Sequence, residues 1–374
     1  MNADLPLWWK DRSACRRFRT GVSLHSHTLH SREYLRSITP YLDRHRWLNW
    51  LARREARRHG LADIPRAEIS RAWWTPPLAP RDAWALENTQ IENSLQKRAL
   101  VSITDHDNIE AAAELRAGGE SRDAPVSLEW TAPYEGSQFH FGVHNLPPEG
   151  AQFLVESMRE YTEGGSEELL GSLLHTVSVL PETLLALNHP LWDAEAAGAR
   201  MHRYALARLL ERHGRWIHAL EFNADRPWSE NRATLELARG NGFPVVGGGD
   251  RHGCHASPVV NLTDAADFAG FAQEVRAGRS ATALLPRLRE SRKLRLFETA
   301  LDILRDHPGH ARGWVRWTDR VFYTRSSGET ASLSEAWGRE SGAVRGISGL
   351  MGLLRAPTIR PALRWALAEK EGAL

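Results

Sequence analysis

Histidine and acidic residues recur along this chain in an order that suits a site for several metal ions. The first pair, His25 and His27, follows the short apolar segment 21–24, and later members follow other apolar segments in the same way. Imidazole nitrogens and carboxylate oxygens are ligands that zinc, manganese and iron accept readily. The sequence therefore predicts a polynuclear metal site, with candidate residues His25, His27, Asp105, His106, Asp107, Glu129, His189, Asp250 and His252.

The apolar segments that precede these groups have the length and composition of buried strands. Several intervals between them show helical periodicity, which together argues for an α/β fold. Because the carboxyl ends of parallel strands converge on one face of a barrel, groups distant in sequence can meet there. We predict strands at 21–24, 100–104, 124–128, 138–143, 184–188, 216–222 and 244–248, and helices at 81–98, 108–117, 150–162 and 194–213.

Three stretches depart from the simple alternation of strand and helix. The interval between Glu129 and His140 is short for a helical crossover, so 134–137 is predicted to form a hairpin turn. A long insertion, 32–80, carries clustered arginines with Trp47 and Trp50 at helical spacing. It is interpreted either as an amphipathic helix with solvated arginines or as a lid or nucleic-acid-binding arm. We predict a barrel domain at 1–284 and a C-terminal helical extension at 285–374.

Composition excludes several classes of protein. The chain has 374 residues, with Lys+Arg 48 against Asp+Glu 46, so its formal net charge of +2 gives no bulk field for nucleic acid or membrane. Two cysteines, Cys15 and Cys254, cannot build a disulfide framework. No stretch approaches the roughly 18 apolar residues needed to span a bilayer, and the start shows no secretion signal. A cytoplasmic protein with no membrane partner is expected.

The ordered motifs resemble those of the PHP (polymerase and histidinol phosphatase) family. The likeness spans residues 21–280 and rests on His25-Ser26-His27, Thr104-Asp105-His106-Asp107, Glu129, His140, Asn188-His189-Pro190 and Gly249-Asp250-Arg251-His252. The resemblance implies a distorted (β/α)7 TIM-like barrel, with the insertion after its first strand. It also implies two or three divalent transition-metal ions, and mixed imidazole and carboxylate ligation suits Zn, Mn or Fe.

The resemblance also implies a role for each matching residue. Glu129 would bridge two of the ions and so belong to both coordination shells. The remaining ligands would be His25, His27 and Asp250 for the first ion, His140 and His189 for the second, and His106 and His252 for a third.

Some of these assignments have alternatives. His144 competes with His140, since both face one side of a strand by alternation. The aspartate that family members place shortly after His-x-His is missing here, which leaves His30 or Glu33 as substitutes at the third site. Glu221 is expected to orient a ligand histidine or to pair internally.

Arg251 stands between two candidate ligands, where the family commonly has a small residue. Its planar guanidinium suits phosphate oxygens, and the alternative is an ion pair with Asp225 or Asp107. The same ambiguity applies to Arg226. We predict catalytic roles for Asp105, Arg251 and His252, and substrate contacts for Asn223, Arg226 and Arg251.

The chemistry that such a site supports is phosphoester hydrolysis by a hydroxide that bridges two metal ions. The expected substrate is a phosphorylated small molecule, either a phosphomonoester or a small nucleotide. One alternative is a 5′–3′ exonuclease or nucleotide phosphodiesterase whose basic insertion follows a single strand of nucleic acid. Further alternatives are an amidohydrolase and a metal-binding module without turnover.

Overall fold

The computed structural model describes residues 7–8, 10–35, 72–119, 121–324, 328–337 and 342–368. The helix predicted within the insertion, around Trp47 and Trp50, lies outside these residues. None of the described helices has the length and apolar character required to cross a lipid bilayer.

The structure combines strands and helices along the whole described chain, numbered here in chain order. The strands are β1 (Thr20–Ser23), β2 (Glu33–Tyr34), β3 (Trp73–Trp74), β4 (Arg98–Val101), β5 (Val126–Tyr134), β6 (Ser137–Leu146), β7 (Leu184–Asn188), β8 (Ala219–Asn223), β9 (Val245–Gly248), β10 (Val259–Thr263), β11 (Ala281–Leu284), β12 (Val321–Thr324) and β13 (Thr330–Ser332). The helices are α1 (Arg12–Arg16), α2 (Pro80–Gln90), α3 (Glu110–Ala117), α4 (Ala151–Thr162), α5 (Glu167–Ser178), α6 (Ala199–His213), α7 (Trp228–Asn241), α8 (Phe268–Arg276), α9 (Arg292–Ile303), α10 (Leu333–Trp337), α11 (Gly342–Leu354) and α12 (Arg360–Ala366).

Every strand predicted from an apolar segment is present, as β1 and β4 to β9. The predicted helices are also present as α2, α3, α4 and α6, although α2 ends in a π-helical turn at Ile91–Leu95. Helices α5, α7 and α8 were not predicted. Local periodicity therefore located the elements around the candidate ligands, but it did not determine how the strands pair.

The predicted (β/α)7 barrel is wrong. Among the described residues the main strands form two sheets, ordered β11-β10-β1-β4 and β5-β6-β7-β8-β9, and not a closed ring. Single bridges, His106 with Glu129 and Ser26 with Arg251, are the pairings found between them. A barrel requires continuous ladders with a regular stagger. Here β10 lies antiparallel to β1, β6 lies antiparallel to both β5 and β7, and no ladder joins β4 to β5 or β9 to the first sheet.

The hairpin between β5 and β6 forms where the sequence predicted a turn. Tyr134 pairs with Ser137, and the two residues between them, Glu135 and Gly136, have φ angles of +49° and +73°. Two consecutive left-handed residues define the type I′ turn that matches the twist of an antiparallel hairpin. This turn makes β6 antiparallel to β5 and brings His140 opposite Thr131.

Amphipathic helices cover the five-stranded sheet and form the largest core with it. Helix α4 contacts β5, α5 contacts β7 and α6 contacts β6. On α6 the buried residues recur at helical spacing, because one stripe of the helix faces the sheet. That stripe consists of His202, Ala205, Leu206, Leu209 and His213.

A third sheet lies beside the carboxyl ends of the main strands, and we call it the cover sheet. It is ordered β13-β12-β3-β2, so the two ends of the insertion, β2 and β3, pair with each other, and β3 also pairs with β12 from the C-terminal part of the chain. The predicted C-terminal helical appendage is therefore a mixture of helices and strands. Glu33 pairs directly with Trp74, so both side chains lie on one face of the cover sheet. The domain boundary at 284 remains a prediction.

Candidate metal centre

The candidate ligands lie together where strands of both main sheets end. Turns after β1, β4, β7 and β9 carry most of them, while β5 carries Glu129 and β6 carries His140. Their ligand atoms approach one another within 4.8 Å in four overlapping groups. The groups are His25, His27 and Glu129; His25, His189 and Asp250; His27, Glu33 and His252; and His106, Glu129 and His140. We call these nine residues the ligand cluster.

Three members of the ligand cluster have left-handed backbones just after a strand ends. The φ angle is +62° at His25, +27° at His189 and +49° at Asp250. Such conformations cost about 1–3 kcal/mol for residues other than glycine, and they concentrate at functional sites. Here the three turns surround the ligand cluster, so a left-handed residue after each of three strands brings its side chain into the cluster.

The two carboxylate oxygens of Glu129 face different histidines. Oε2 lies 3.1 Å from Nε2 of His25 and 3.3 Å from Nε2 of His27. Oε1 lies 3.2 Å from Nε2 of His189 and 3.4 Å from Nδ1 of His140. A carboxylate with one oxygen toward each pair of imidazoles has the geometry of a bridge between two cations.

Glu33 of the cover sheet reaches the opposite side of the cluster. Its Oε1 lies 3.3 Å from Nε2 of His252, and its Oε2 lies 3.5 Å from Nε2 of His106. The ring of His27 stacks between those two histidines, with centroid distances of 4.3 Å to His252 and 4.9 Å to His106. Glu33 thus stands where the sequence analysis sought a substitute for the missing aspartate.

The two reserve candidates, His30 and His144, are engaged elsewhere. The ring nitrogens of His30 lie 2.7 Å from Glu110 and 2.9 Å from Glu114, both on α3. Nδ1 of His144 lies 2.8 Å from the hydroxyl oxygen of Ser102, and burial lowers its pKa to about 3. Neither side chain is in the ligand cluster.

Two buried nitrogens that face Glu129 have no hydrogen-bond partner. They are Nε2 of His27 and Nδ1 of His140. An unsatisfied buried polar atom costs about 1–3 kcal/mol, so native structures rarely keep two at one place. A bound cation would supply the missing partner, because neutral imidazole donates its lone pair to zinc, manganese or iron. The donor set therefore fits metal ions.

The inner members of the cluster are His25, His27, Glu129, His140, His189 and Asp250. Burial raises the pKa of Glu129, but His25, His106 and His140 outweigh it, so this pKa lies well below its usual range. The pKa of Asp250 is likewise well below its usual range because His25 and His27 oppose the effect of burial. Burial lowers the pKa of His25, yet Glu129, Glu221 and Asp250 together hold it well above the ordinary value.

The outer members are Glu33, His106 and His252. Burial acts against the charged form of His106, but Glu33 and Glu129 raise its pKa to about 10. Glu33 and Asp250 overcome burial in the same way at His252, where the pKa is about 9. Burial and the charge of His252 lower the pKa of His27 to about 3. In the metal-free protein, protonated His106 and His252 therefore neutralise the negative charge of Glu33.

Glu221 makes hydrogen bonds to two inner histidines, His25 and His189. Its Oε1 lies 2.6 Å from Nδ1 of His25, and its Oε2 accepts a hydrogen bond of 2.9 Å from the backbone N–H of His189. A Cβ atom on Gly248 would overlap the Glu221 carboxylate, so only glycine fits at that point of β9. This contact with His25 is the orienting position predicted for Glu221, since it leaves Nε2 free for a ligand.

Asp105, predicted to be catalytic, is bonded to a neighbouring turn. Its Oδ1 accepts from the backbone N–H of Thr28 at 2.5 Å, and its Oδ2 accepts from the Thr28 hydroxyl at 2.6 Å. Burial nevertheless raises the pKa of Asp105 to about 6. Both carboxylate oxygens thus join the turn after β4 to the turn after β1 by hydrogen bonds, which indicates a structural role for Asp105. The catalytic role stays a prediction.

The guanidinium of Arg251 is buried and faces protein oxygens. Nε lies 3.0 Å from Oε1 of Glu87, Nη1 donates to the carbonyl of Gly253 at 2.9 Å, and Nη2 donates to the carbonyl of His27 at 3.0 Å. The predicted phosphate contact and catalytic role do not fit this position. An ion pair is present, as in the alternative interpretation, but its partner is Glu87 and not Asp225 or Asp107.

The other two predicted substrate residues differ from each other. Asn223 is fully buried and donates to Glu221 at 2.9 Å, so it supports the cluster from inside. The guanidinium carbon of Arg226 lies 4.4 Å from the ring centroid of Trp192, and its Nε has no hydrogen-bond partner. Trp192 in turn contacts His189, with ring centroids 4.9 Å apart. Arg226 therefore lies at the edge of the cluster with donor capacity to spare.

Three nearby residues were missed by the sequence analysis. Trp192 follows His189 by three positions, a proximity that offered a signal. Trp74 lies 5.7 Å from the His252 ring, and Glu87 pairs with Arg251, but both come from elements distant in sequence. These contacts depend on how the cover sheet and α2 dock, which no local pattern encodes.

Comparison with known proteins gives limited similarity. No protein-family model matches the chain, and no curated protein matches it. One solved structure, from Bifidobacterium adolescentis and provisionally named a metal-dependent phosphoesterase, is 14% identical with a TM-score of 0.31, over 48% of this chain and 84% of its own. Another, an amidohydrolase from Chromobacterium violaceum with bound sulfate and no metal, is 15% identical with a TM-score of 0.31, over 47% and 83%. Likeness at this level carries no argument about function.

Proposed function

We propose that this protein is a metal-dependent phosphoesterase that hydrolyses a phosphomonoester or a small nucleotide. One observation carries the proposal. Glu129 lies between two pairs of imidazole nitrogens, each within 3.4 Å of one of its oxygens. A shared carboxylate of this kind can hold two cations close enough for both to contact one phosphate.

The proposed ligands divide between the inner and outer sides of the cluster. Two ions would share Glu129, and a third would lie near Glu33, because both carboxylates are surrounded by imidazole nitrogens. Imidazole and carboxylate donors favour Zn, Mn or Fe over Mg or Ca. The proposed set is His25, His27, His140, His189 and Asp250 with Glu129 for two ions, and His106, His252 and Glu33 for the third.

Metal ions bound here would supply a water of lowered pKa and positive charge for the phosphate oxygens. The chain's own residues prepare the site. Glu221 accepts from His25 Nδ1 and so fixes the tautomer that leaves Nε2 as a donor atom toward the cluster. Burial of His25 and Glu129, at 0% and 1% exposure, keeps bulk water from the inner side.

Arg226 is the proposed contact for the substrate phosphate. The guanidinium carbon lies 4.4 Å from the ring centroid of Trp192, which holds the group beside His189, and a planar fork matches phosphate oxygens in a bidentate manner. Arg251 and Asn223 are not part of this proposal, because their side chains are buried and bonded internally.

The proposal is tested by assaying metal-loaded protein against phosphomonoesters, cyclic and linear dinucleotides, short single-stranded DNA, and amide and lactone substrates. We expect turnover of a phosphomonoester or a nucleotide, lost after chelation and restored by Zn, Mn or Fe. Asp250→Asn should abolish it, while Asp82→Asn, a change at an exposed carboxylate on α2, should not. Turnover of amides or lactones alone would overturn the assignment.

Two further experiments define the substrate class. Arg226→Met should raise KM for the phosphate ester about tenfold or more, since hydrogen bonds to charged groups contribute about 1.5–3 kcal/mol. Arg232→Met, an exposed change on α7 shortly after Arg226, is the control. Nucleic-acid binding that weakens steeply with added salt would instead favour the exonuclease alternative. No turnover of any substrate by fully loaded protein would leave only a metal-binding module.

A further inference from the structure

Two of the turns that carry candidate ligands come from strands in different sheets. The turn after β1 carries His25 and His27, and the turn after β9 carries Asp250 and His252. Their backbones meet at one bridge between Ser26 and Arg251, where three backbone hydrogen bonds of 2.9–3.3 Å join residues 24–27 to residues 249–251. No ladder extends along the strands themselves, so side-chain contacts between the two turns add to what holds their spacing.

The side chain of Arg251 is one such connection. It starts from the β9 turn and donates to the carbonyl of His27 at 3.0 Å, which lies in the β1 turn. It also donates to the carbonyl of Gly253 at 2.9 Å and so folds its own turn back on itself. The backbone N–H of His27 donates in return to the carbonyl of Arg251 at 2.9 Å.

Glu87 fixes the Arg251 side chain from α2. Its Oε1 lies 3.0 Å from Nε of Arg251, and its Oε2 accepts a hydrogen bond of 3.0 Å from the hydroxyl of Ser23, the last residue of β1. Both oxygens also accept from the backbone N–H of Ser257, at 3.2 and 3.1 Å. Glu87 is 0% exposed and Arg251 is 4% exposed. A buried pair is weak evidence for stability, since desolvation offsets its attraction, so a role in geometry has to be considered.

We propose that the Arg251–Glu87 pair is a positioning device that fixes the separation of the two ligand turns and so sets the metal-binding geometry. The inference rests on the proposed metal centre. Arg251 acts through His27 and Asp250 and does not itself touch metal or substrate. Outer contacts of this kind typically change metal affinity by about 10–100-fold when removed.

The test compares Co²⁺ binding with metal-free folding in the double variant Arg251→Met/Glu87→Gln. This variant removes both charges, so neither is left buried alone, and Gln retains an acceptor for Ser257. We expect Co²⁺ affinity to fall about 10–100-fold, with a changed Co²⁺ absorption spectrum. Arg276→Met is the matched control, because Arg276 also donates to two backbone carbonyls, those of Leu180 and Thr183, away from the ligand cluster. It should lower the unfolding temperature without changing Co²⁺ binding.

Arg251→Lys gives an independent comparison that keeps the charge beside Glu87. Its single ammonium cannot reproduce the fork that reaches both His27 and Gly253, so we expect a folded protein with an intermediate loss of Co²⁺ affinity. Wild-type affinity and spectrum in both Arg251 variants would overturn the proposal, as would equal weakening by Arg276→Met. Failure of the wild-type protein to bind Co²⁺ would instead refute the metal centre itself.

Discussion

The inner and outer sides of the ligand cluster are supported by different parts of the molecule. Inner residues are fixed by buried hydrogen bonds to residues of the five-stranded sheet: Asn188 donates to Glu129 at 2.9 Å, and Glu221 accepts from His25 at 2.6 Å. The outer side relies on Glu33, which stands on a strand of two residues in the cover sheet. Side-chain exposure follows the same division, with 0% at His25 and 18% at His252.

The inner side of the ligand cluster is therefore supported by more buried hydrogen bonds than the outer side. Ligands on strands with bonded carboxylates behind them are held before any metal arrives, which favours tight binding. The outer group depends on the docking of the cover sheet, which brings together the ends of the insertion and the C-terminal strands. We therefore expect the inner side to hold metal firmly and the outer side to exchange it more easily.

The largest expected effect is at the shared carboxylate. Glu129→Gln removes a negative charge that faces both inner imidazole pairs, so we expect loss of all tightly bound metal, measured by elemental analysis after dialysis. Glu211→Gln is the control, because the side chain of Glu211 is 66% exposed on α6. Retention of two metal equivalents in Glu129→Gln would show that Glu129 is not a shared ligand.

The next effect is the dependence of metal affinity on pH. His106 and His252 have metal-free pKa values of about 10 and 9, so both are protonated at neutral pH and must lose a proton before they bind. Each required proton lowers the apparent affinity about tenfold for every pH unit below the pKa. Affinity on the outer side should thus rise with pH up to about 9.

Calorimetric titration at pH 6, 7 and 8, in buffers of different ionisation enthalpy, measures this proton release. Burial lowers the pKa of His189 and of His27, so these two inner histidines are expected to release no proton, whereas His25, with a pKa held well above the ordinary value by Glu129, is expected to release one. Affinity independent of pH at every site would contradict the charge distribution described for the cluster.

A smaller effect is expected from Glu33→Gln. This change removes the carboxylate between His106 and His252 and leaves the inner side intact, so we expect one metal equivalent to be weakened about 10–100-fold. Competition with a coloured chelator distinguishes the sites by affinity. Loss of all metal would show instead that the two sides are a single cooperative unit.

The smallest effect on metal is expected at His144. His144→Gln alters a buried ring bonded to Ser102, so it should lower stability by about 1–3 kcal/mol, as removal of a buried hydrogen-bond partner does. Metal content should remain that of the wild type. By contrast, His140→Gln should reduce it, and equal loss in both variants would place His144 in the cluster.

The sequence was sufficient to locate strands and to collect most of the cluster. Apolar segments predicted β1 and β4 to β9, because buried strands leave a local pattern. The sequence was not sufficient to predict the pairing, since β10 follows the last motif and pairs with β1, and β11 pairs with β10, without any local signal of their direction. The prediction of a closed barrel was wrong for that reason.

The same limit applies to Arg251. Its position between two ligand candidates suggested a phosphate contact, whereas its orientation is set by Glu87 on a helix far away in the chain. Glu33 was a candidate from spacing alone, but its place beside His252 depends on pairing between β2 and β3. Residue type and order thus predict the chemistry of the cluster, and tertiary docking decides which side chains face it.

The most direct test of the metal centre is the metal content of the purified wild-type protein, with each ion located by anomalous X-ray scattering. We predict at least two transition-metal equivalents per chain, two of them on either side of the Glu129 carboxylate. A protein that binds no metal under loading conditions, or binds it away from Glu129, would contradict the metal centre and the function proposed from it.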